Sequence, residues 1–198
     1  MRKVEIKAVR TLFDDYFRID EAELRYELPG GRMSDPSRRL SFERGDSTAA
    51  VVVNESSAIV LLTRQFRFPT FAKGPGWMLE LVAGTVEVDE SPEQCIRREI
   101  VEELGYETLT LRRLCTFYTS PGGSSERIHL FQAVISAATR IGSGGGNSAE
   151  QEDIELVEIP LNEVPALLAS GDVVDAKTII GLSRLVQEYG KAEGRLRG

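Results

Sequence analysis

Thiolate metal cages and disulfide frameworks need several cysteines, and this chain of 198 residues has only Cys95 and Cys115, with the single histidine His129. The two cysteines share no metal-ligand spacing and no disulfide density, which excludes a disulfide-stapled secreted scaffold and fits a reduced cytoplasm. Long apolar runs are missing as well. The opening MRKVEIKAV has no apolar stretch of signal-peptide length and nothing approaches a membrane span, so a cytoplasmic protein without a membrane partner is expected. Positive charge is in deficit, with 24 Lys and Arg against 31 Asp and Glu and a net charge of −7. Nucleic-acid surfaces rest on clustered cations that neutralise phosphates, so none is expected here, and a small anionic ligand would need a local positive site. The Gly-rich stretch at residues 141–147 (IGSGGGN) lacks the Gly-Lys-Ser/Thr ending of a phosphate-cradling loop and reads as a flexible connection. No internal repeat is present.

What the chain does have is a densely patterned segment, residues 84–106, GTVEVDESPEQCIRREIVEELGY. Ser91 can cap a helix that begins at Pro92, where a missing N–H costs nothing, and Gln94 completes a capping box. Gly105 stops it. At about 100° per residue, Glu99, Glu102 and Glu103 fall within one arc while Ile96, Ile100, Val101 and Leu104 share the opposite side. Three neighbouring carboxylates on the C-terminal half of a helix repel one another and oppose its dipole, so a positive partner is required. Hard divalent cations prefer oxygen ligands, and Mg²⁺ binds through a few carboxylates together with substrate phosphates and water. A solvated acidic face is the alternative. Cys95 lies on the carboxylate side and is read as small filler rather than as a ligand, since thiolates suit softer metals.

Around this segment the chain reads as strands and helices. Residues 1–45 alternate polar and apolar positions as two or three strands, broken by the turn PGGRMSDPS at 29–37, and hold too little apolar material for a core of their own. Apolar, β-branched runs at 48–53 and 58–62 form a hairpin-like pair, and RQFRFPT at 64–70 places Arg64 and Arg67 near a strand end. MLELVA at 78–83 is a strand leading into Gly84, where the lack of a Cβ lets backbone approach a ligand closely. Strands follow at 109–118 and 128–135, flanking SPGGSSER at 120–127, then a strand at 153–160 and helices at 161–170 and 177–189. His129 reads as an ordinary strand residue. A mixed-sheet α/β sandwich is expected, with an N-terminal β extension at 1–45 and one domain at 46–198.

The spacing Gly84, five residues, Glu90, seven residues, Arg98-Glu99-Ile100, one residue, Glu102-Glu103, one residue, Gly105 and Tyr106 resembles the Nudix box of the Nudix hydrolase superfamily, with Tyr106 its one loose fit. The segments LLTRQFR, LELVAG, SPGGSSERIHLF, EQEDIE and DAKT resemble the branch acting on nucleoside diphosphate sugars, which includes ADP-ribose and GDP-mannose hydrolases. The resemblance implies an α/β/α sandwich and hydrolysis of a pyrophosphate bond with Mg²⁺, or Mn²⁺, as cofactor. It implies metal ligands at Glu99, Glu102, Glu103 and Glu152 and the carbonyl of Ala83, with Gly84, Glu90, Arg98 and Gly105 shaping the motif. A catalytic set of Glu150, Glu152 and Glu103 follows, with Glu150 as base and Glu152 as ligand, or the reverse. Arg64, Arg67, Glu80, Ser120 and Glu126 match substrate-contacting positions. The resemblance further implies a nucleotide-sugar substrate and a homodimer that exchanges N-terminal strands. Pro121 tilts the choice slightly to ADP-ribose over GDP-mannose; a triphosphate-cleaning hydrolase and a non-catalytic nucleotide-sugar sensor are the alternatives.

Overall fold

A computed structural model describes residues 1–147 and 152–196. Contacts divide the chain into two compact units, Met1–Asp46 with Tyr118–Arg127, and Ser47–Phe117 with Ile128–Gly198.

In the first unit β1 (Val4–Asp14), β2 (Arg18–Tyr26) and β3 (Ser37–Glu43) form an antiparallel sheet in that order. Cross-strand charges select the register: Lys7 meets Glu23, Arg25 meets Glu5, and Arg10 and Arg38 converge on Glu21. Every residue of β1 is exposed, including Val4, Ile6, Val9, Leu12 and Phe13. The segment Tyr118–Arg127 groups with these strands, whereas the sequence places it in the domain beginning at residue 46. Phe42 N donates to Gly123 O at 2.8 Å and Ser125 N to Phe42 O at 3.2 Å. The free edge of β3 leaves backbone groups unpaired, and this loop supplies partners that lie too far along the chain for local patterning to reveal.

The second unit is the mixed sandwich that the sequence implies. Its sheet runs β10 (Glu155–Pro160), β5 (Ile59–Phe66), β4 (Ser47–Asn54), β9 (Arg127–Ile135) and β8 (Thr110–Tyr118), with β6 (Trp77–Glu80) on β5 and β7 (Val82–Thr85) on β4. The β4–β9 pair is parallel and the β5 and β7 pairings of β4 are antiparallel. Between β5 and β6 lies a short helix, α1 (Phe68–Phe71). The alternation of β4 divides two cores. Ala49, Val51 and Val53 pack with Val164, Leu182 and Leu185 of α3 (Val164–Ser170) and α4 (Ala176–Leu196). Ala50 and Val52 pack with Ile96, Ile100 and Leu104 of α2 (Pro92–Glu99) and the π turn Ile100–Leu104 that continues it. Burying such side chains contributes about 1.5–3 kcal/mol each, which fixes α2 on one face and α3–α4 on the other.

The sheet splits where the site is built. β4 pairs with β5 only over Val52–Asn54 and Ile59–Leu61, after which the two diverge. The chain from β6 to β7 fills the opening, Thr63 facing Glu80 on one side and Thr48 facing Gly84 on the other.

Candidate active site

Three local devices set the backbone of the site. The capping box is formed, Ser91 Oγ accepting from Gln94 N at 3.2 Å and Gln94 Oε1 from Ser91 N at 2.9 Å. Beyond Glu99 the helix widens into the π turn, a feature common at functional sites, and Gly105 closes it at φ 77° in the left-handed region. Gly84 is the contact point between strand and helix. A Cβ there would overlap the Glu99 carboxylate and stand 2.5 Å from Glu99 Cγ.

The acidic arc is not a solvated face, because Glu99 and Glu103 are buried and only Glu102 is half-exposed. Arg98 supplies part of the positive charge that the three carboxylates require. Its Nε and Nη2 meet the two oxygens of Glu90 at 3.0 and 3.1 Å, while Nη1 lies 2.7 Å from Glu99 and 3.2 Å from Glu102. The fork locks the loop before α2 to the carboxylates on it. Burial still dominates Glu99 and pushes its carboxyl up to about 7 against the pull of Arg98, with Glu102 and Glu152 adding repulsion. Glu103 is pushed well above the usual carboxylate range, first by burial and then by Glu99. Its carboxylate accepts from Ala83 N at 3.5 Å. An open groove of about 510 Å³ runs beside Glu102, between Arg97, Val101, Glu107 and Thr108.

The Gly-rich stretch behaves differently from the flexible connection expected of it. Ile141 N and Gly142 N donate to Gly105 O at 2.8 and 3.1 Å, Gly145 N to Glu103 O at 2.9 Å, and Gly146 N to Glu102 O at 3.1 Å. These bonds satisfy the open carbonyls at the end of the helix. Glycine is needed for closeness as much as for flexibility: a Cβ on Gly144, at φ 68°, would overlap the Glu103 carbonyl, and one on Gly105 the Gly142 carbonyl. The loop thereby delivers Glu152, whose carboxylate accepts from Asn147 N at 3.1 Å and whose charge bears on both Glu99 and Glu103. Glu150 lies outside the described residues.

The substrate-contact candidates separate. Arg64 is tied to Glu155 across the β5–β10 edge at 3.2 Å. Arg67 Nε donates to Glu80 Oε2 at 2.8 Å, and its charge favours the ionised form of Glu103. Glu80 also meets Lys177, which lies in the DAKT segment, although no local signal pairs two residues that stand 97 positions apart. Ser120 and Glu126 belong to the first unit. There the Ser120 carbonyl accepts from Gly123 N and Ser124 N, and Glu126 is buried and accepts from Thr119 Oγ1 at 3.0 Å. Cys95 is enclosed, donating to Thr85 O at 3.3 Å, and burial pushes its thiol up to about 12, as befits filler. His129 is a buried strand residue whose Nδ1 accepts from Arg113 Nη2 at 2.8 Å.

Among the described residues no three His, Cys, Asp or Glu side chains form a ready-made metal cage. The donor set nonetheless fits a hard divalent cation: oxygens only, two of the carboxylates buried and mutually repelling, and a glycine that clears space at their edge.

Fold and site together define an α/β protein that gathers carboxylates on a capped helix at the split of a mixed sheet. Residues 43–180 match the NUDIX domain, and the chain belongs to that family, whose hydrolases generally use a divalent metal. It is 37% identical over 185 residues to a GDP-mannose pyrophosphatase of Pectobacterium atrosepticum, covering 92% of this chain and 94% of the relative. A GDP-mannose pyrophosphatase of Citrobacter koseri is 36% identical over 186 residues, with 93% and 95% covered. The crystal structure of an ADP compounds hydrolase superimposes with a TM-score of 0.74 at 22% identity, covering 98% of this chain and 97% of that one.

Proposed function

We propose that this protein is a Mg²⁺-dependent pyrophosphatase of nucleoside diphosphate sugars, with Mn²⁺ able to replace Mg²⁺ and GDP-mannose as the first candidate substrate. The observation that carries this reading is the buried pair Glu99 and Glu103, held in repulsion with Glu152 beside them and Glu102 at the rim. These four carboxylates and the Ala83 carbonyl would hold the cation. When bound, a divalent cation draws charge off the pyrophosphate and acidifies nearby water.

The chain's own groups then divide the work. Arg98 keeps Glu99 and Glu102 oriented. Arg67 presents its Nη groups to a phosphate oxygen, in the planar geometry that suits such contacts. Glu150, carried on the segment between the Gly-rich stretch and Glu152, takes the proton of the attacking water, with Glu103 or Glu152 as the other candidates. The water oxygen bonds to phosphorus, the bridging P–O bond breaks, and a nucleoside monophosphate and a sugar phosphate leave. The slight tilt to ADP-ribose drawn from Pro121 gives way to GDP-mannose, because the relatives at 36–37% identity carry that name, whereas the ADP compounds hydrolase shares the fold at 22%. We further place Ser120 and Glu126 among the substrate contacts and read the protein as a cytoplasmic homodimer in which exposed β1 is covered by the partner copy. Light scattering at micromolar concentration checks the dimer.

Incubation with Mg²⁺ and, separately, GDP-mannose, ADP-ribose, UDP-glucose and 8-oxo-dGTP tests the activity. Release of GMP or AMP that Glu102→Gln abolishes supports it and names the base. Turnover of 8-oxo-dGTP alone would move the protein to triphosphate cleaning, and tight binding without turnover would make it a sensor.

A further inference from the structure

A line of charged groups runs from the N-terminus of α4 to Arg67, and the mechanism above uses only its last member. Glu80 is 6% exposed, and each of its carboxylate oxygens has a cation, Arg67 Nε on Oε2 and Lys177 Nζ on Oε1. Lys177 is itself 9% exposed, and its ammonium lies 3.1 Å from Asp175 Oδ1. The other Asp175 oxygen accepts from Thr178 N at 2.9 Å and from Thr178 Oγ1 at 2.6 Å, capping α4. Thr178 Oγ1 accepts in turn from Leu81 N at 2.8 Å, which ties the same turn of helix to the strand segment that fills the split sheet. The signs alternate: Asp175 negative, Lys177 positive, Glu80 negative, Arg67 positive. The line ends on a guanidinium whose side chain is 42% exposed and whose two Nη groups have no partner among the described residues.

We propose that Lys177 is a positioning residue for substrate, holding Glu80 charged and in place so that Glu80 aims the free Nη groups of Arg67 at the pyrophosphate. This rests on the pyrophosphatase reading above. Buried ion pairs give little net stability relative to well-packed apolar residues, so the consequence of this one lies in what it orients. Among the described residues the side chains bonded to Glu80 are Lys177 from α4 and Arg67 after the end of β5, both on its carboxylate, and Thr63 of β5, whose hydroxyl donates to its backbone carbonyl at 3.4 Å. Burial pushes the Glu80 carboxyl up, and Lys177 and then Arg67 outweigh it and hold the group below its ordinary range. Without Lys177 the burial cost is opposed by one half-exposed arginine. Glu80 then takes up a proton at higher pH and releases its hold on Arg67.

The test uses the full chain loaded with Mg²⁺ and compares wild type with Lys177→Met and Lys177→Arg. Steady-state kcat and KM for GDP-mannose are measured between pH 6 and 8.5, beside calorimetric binding of imidodiphosphate and the thermal midpoint. The expected result is a rise of about 10- to 100-fold in KM for Lys177→Met with kcat little changed. The ratio of its KM to that of wild type grows as the pH falls, and Lys177→Arg restores most of the loss. A Lys177→Met protein whose midpoint falls but whose KM and pH profile match wild type overturns the proposal. If wild type hydrolyses no nucleotide sugar, the functional reading fails separately, and weaker imidodiphosphate binding by Lys177→Met still decides this one. Should Lys177→Met not fold, Asp175→Asn keeps a capping side chain while removing the anchoring charge. It should raise KM in the same pH-dependent way by a smaller factor, and an unchanged KM would overturn the proposal.

Discussion

Replacing Gly84 by alanine tests the strand–helix contact most directly. The added Cβ would stand 2.5 Å from Glu99 Cγ and overlap the carboxylate itself. Ordinary Cβ contacts begin near 3.4 Å and Glu99 Oε1 would stand at 1.8 Å, so the carboxylate must retreat by about 1.5 Å, more than the roughly 1 Å misplacement that can cost about 100-fold in rate. The side chain is buried and gripped by Arg98, so it has little freedom to retreat without leaving its place. Gly84 is not among the residues with positive φ, so alanine strains no dihedral there. Restricting the unfolded chain returns about 0.4–1 kcal/mol against an overpacking cost of about 1–3 kcal/mol, so a modest net loss of stability remains. The expected signature is a loss of about 100-fold in kcat/KM and a 10- to 100-fold higher Mg²⁺ requirement, with a thermal midpoint lower by only about 2–6 °C. Steady-state kinetics over a Mg²⁺ titration, run beside scanning calorimetry, measures all three. A variant with near-normal kcat/KM and Mg²⁺ dependence would show that Glu99 need not sit against Gly84, and the assignment of that edge as the metal site would fall.

Gly105→Ala places a Cβ at φ 77° against the Gly142 carbonyl, so it should lose about 2–4 kcal/mol from left-handed strain and displaced loop bonds. Urea unfolding checks this, and a loss under 1 kcal/mol would mean that the Gly-rich loop is not packed there. Gly190→Ala fills an exposed helical position where a Cβ meets nothing, and should gain about 0.5–1 kcal/mol, or roughly 1–4 °C by calorimetry. Glu99 and Glu103 lie above their unfolded values, Glu99 rising from 4.5 to about 7, so the metal-free folded chain binds more protons across that window. Its stability should fall as pH rises through the window, and Mg²⁺ should raise the midpoint more at pH 8 than at pH 5.5. Calorimetry at pH 6 in two buffers of different protonation enthalpy should show protons released on Mg²⁺ binding. No release would mean that these carboxylates do not hold the cation.

Much of this protein follows from short-range rules. The alternation of residues 48–53 divides the two cores, because successive strand side chains point to opposite faces. Ser91, Pro92, Gln94 and Gly105 bound the helix, because the unpaired groups at helix ends are met by residues adjacent in sequence. Those bounds are enough to bring Glu99, Glu102 and Glu103 to one side of the helix, whereas Gly84 reaches them only through the pairing of β7 with β4. The helical wheel does not show the π turn, since the widening depends on how the last residues pack on the sheet and how the Gly-rich loop meets their carbonyls. It likewise leaves a solvated acidic face open, whereas in the structure Glu99 and Glu103 are enclosed.

Other features depend on pairing between residues far apart, which composition and periodicity do not encode. Tyr118–Arg127 joins the N-terminal strands because β3 has an edge to satisfy. Residues 141–147 are held at the helix end because glycine allows close approach as well as motion, and only the packed neighbour decides which. Arg64 and Arg67, three positions apart and alike in sequence, part company because one meets Glu155 on β10 and the other Glu80 on β6. The sequence by itself determines which residues carry charge and where each element begins and ends, since those are local choices of backbone and side chain. The tertiary structure alone decides which charges are buried together, and burial, by removing water, is what turns an acidic stripe into a site that calls for a cation.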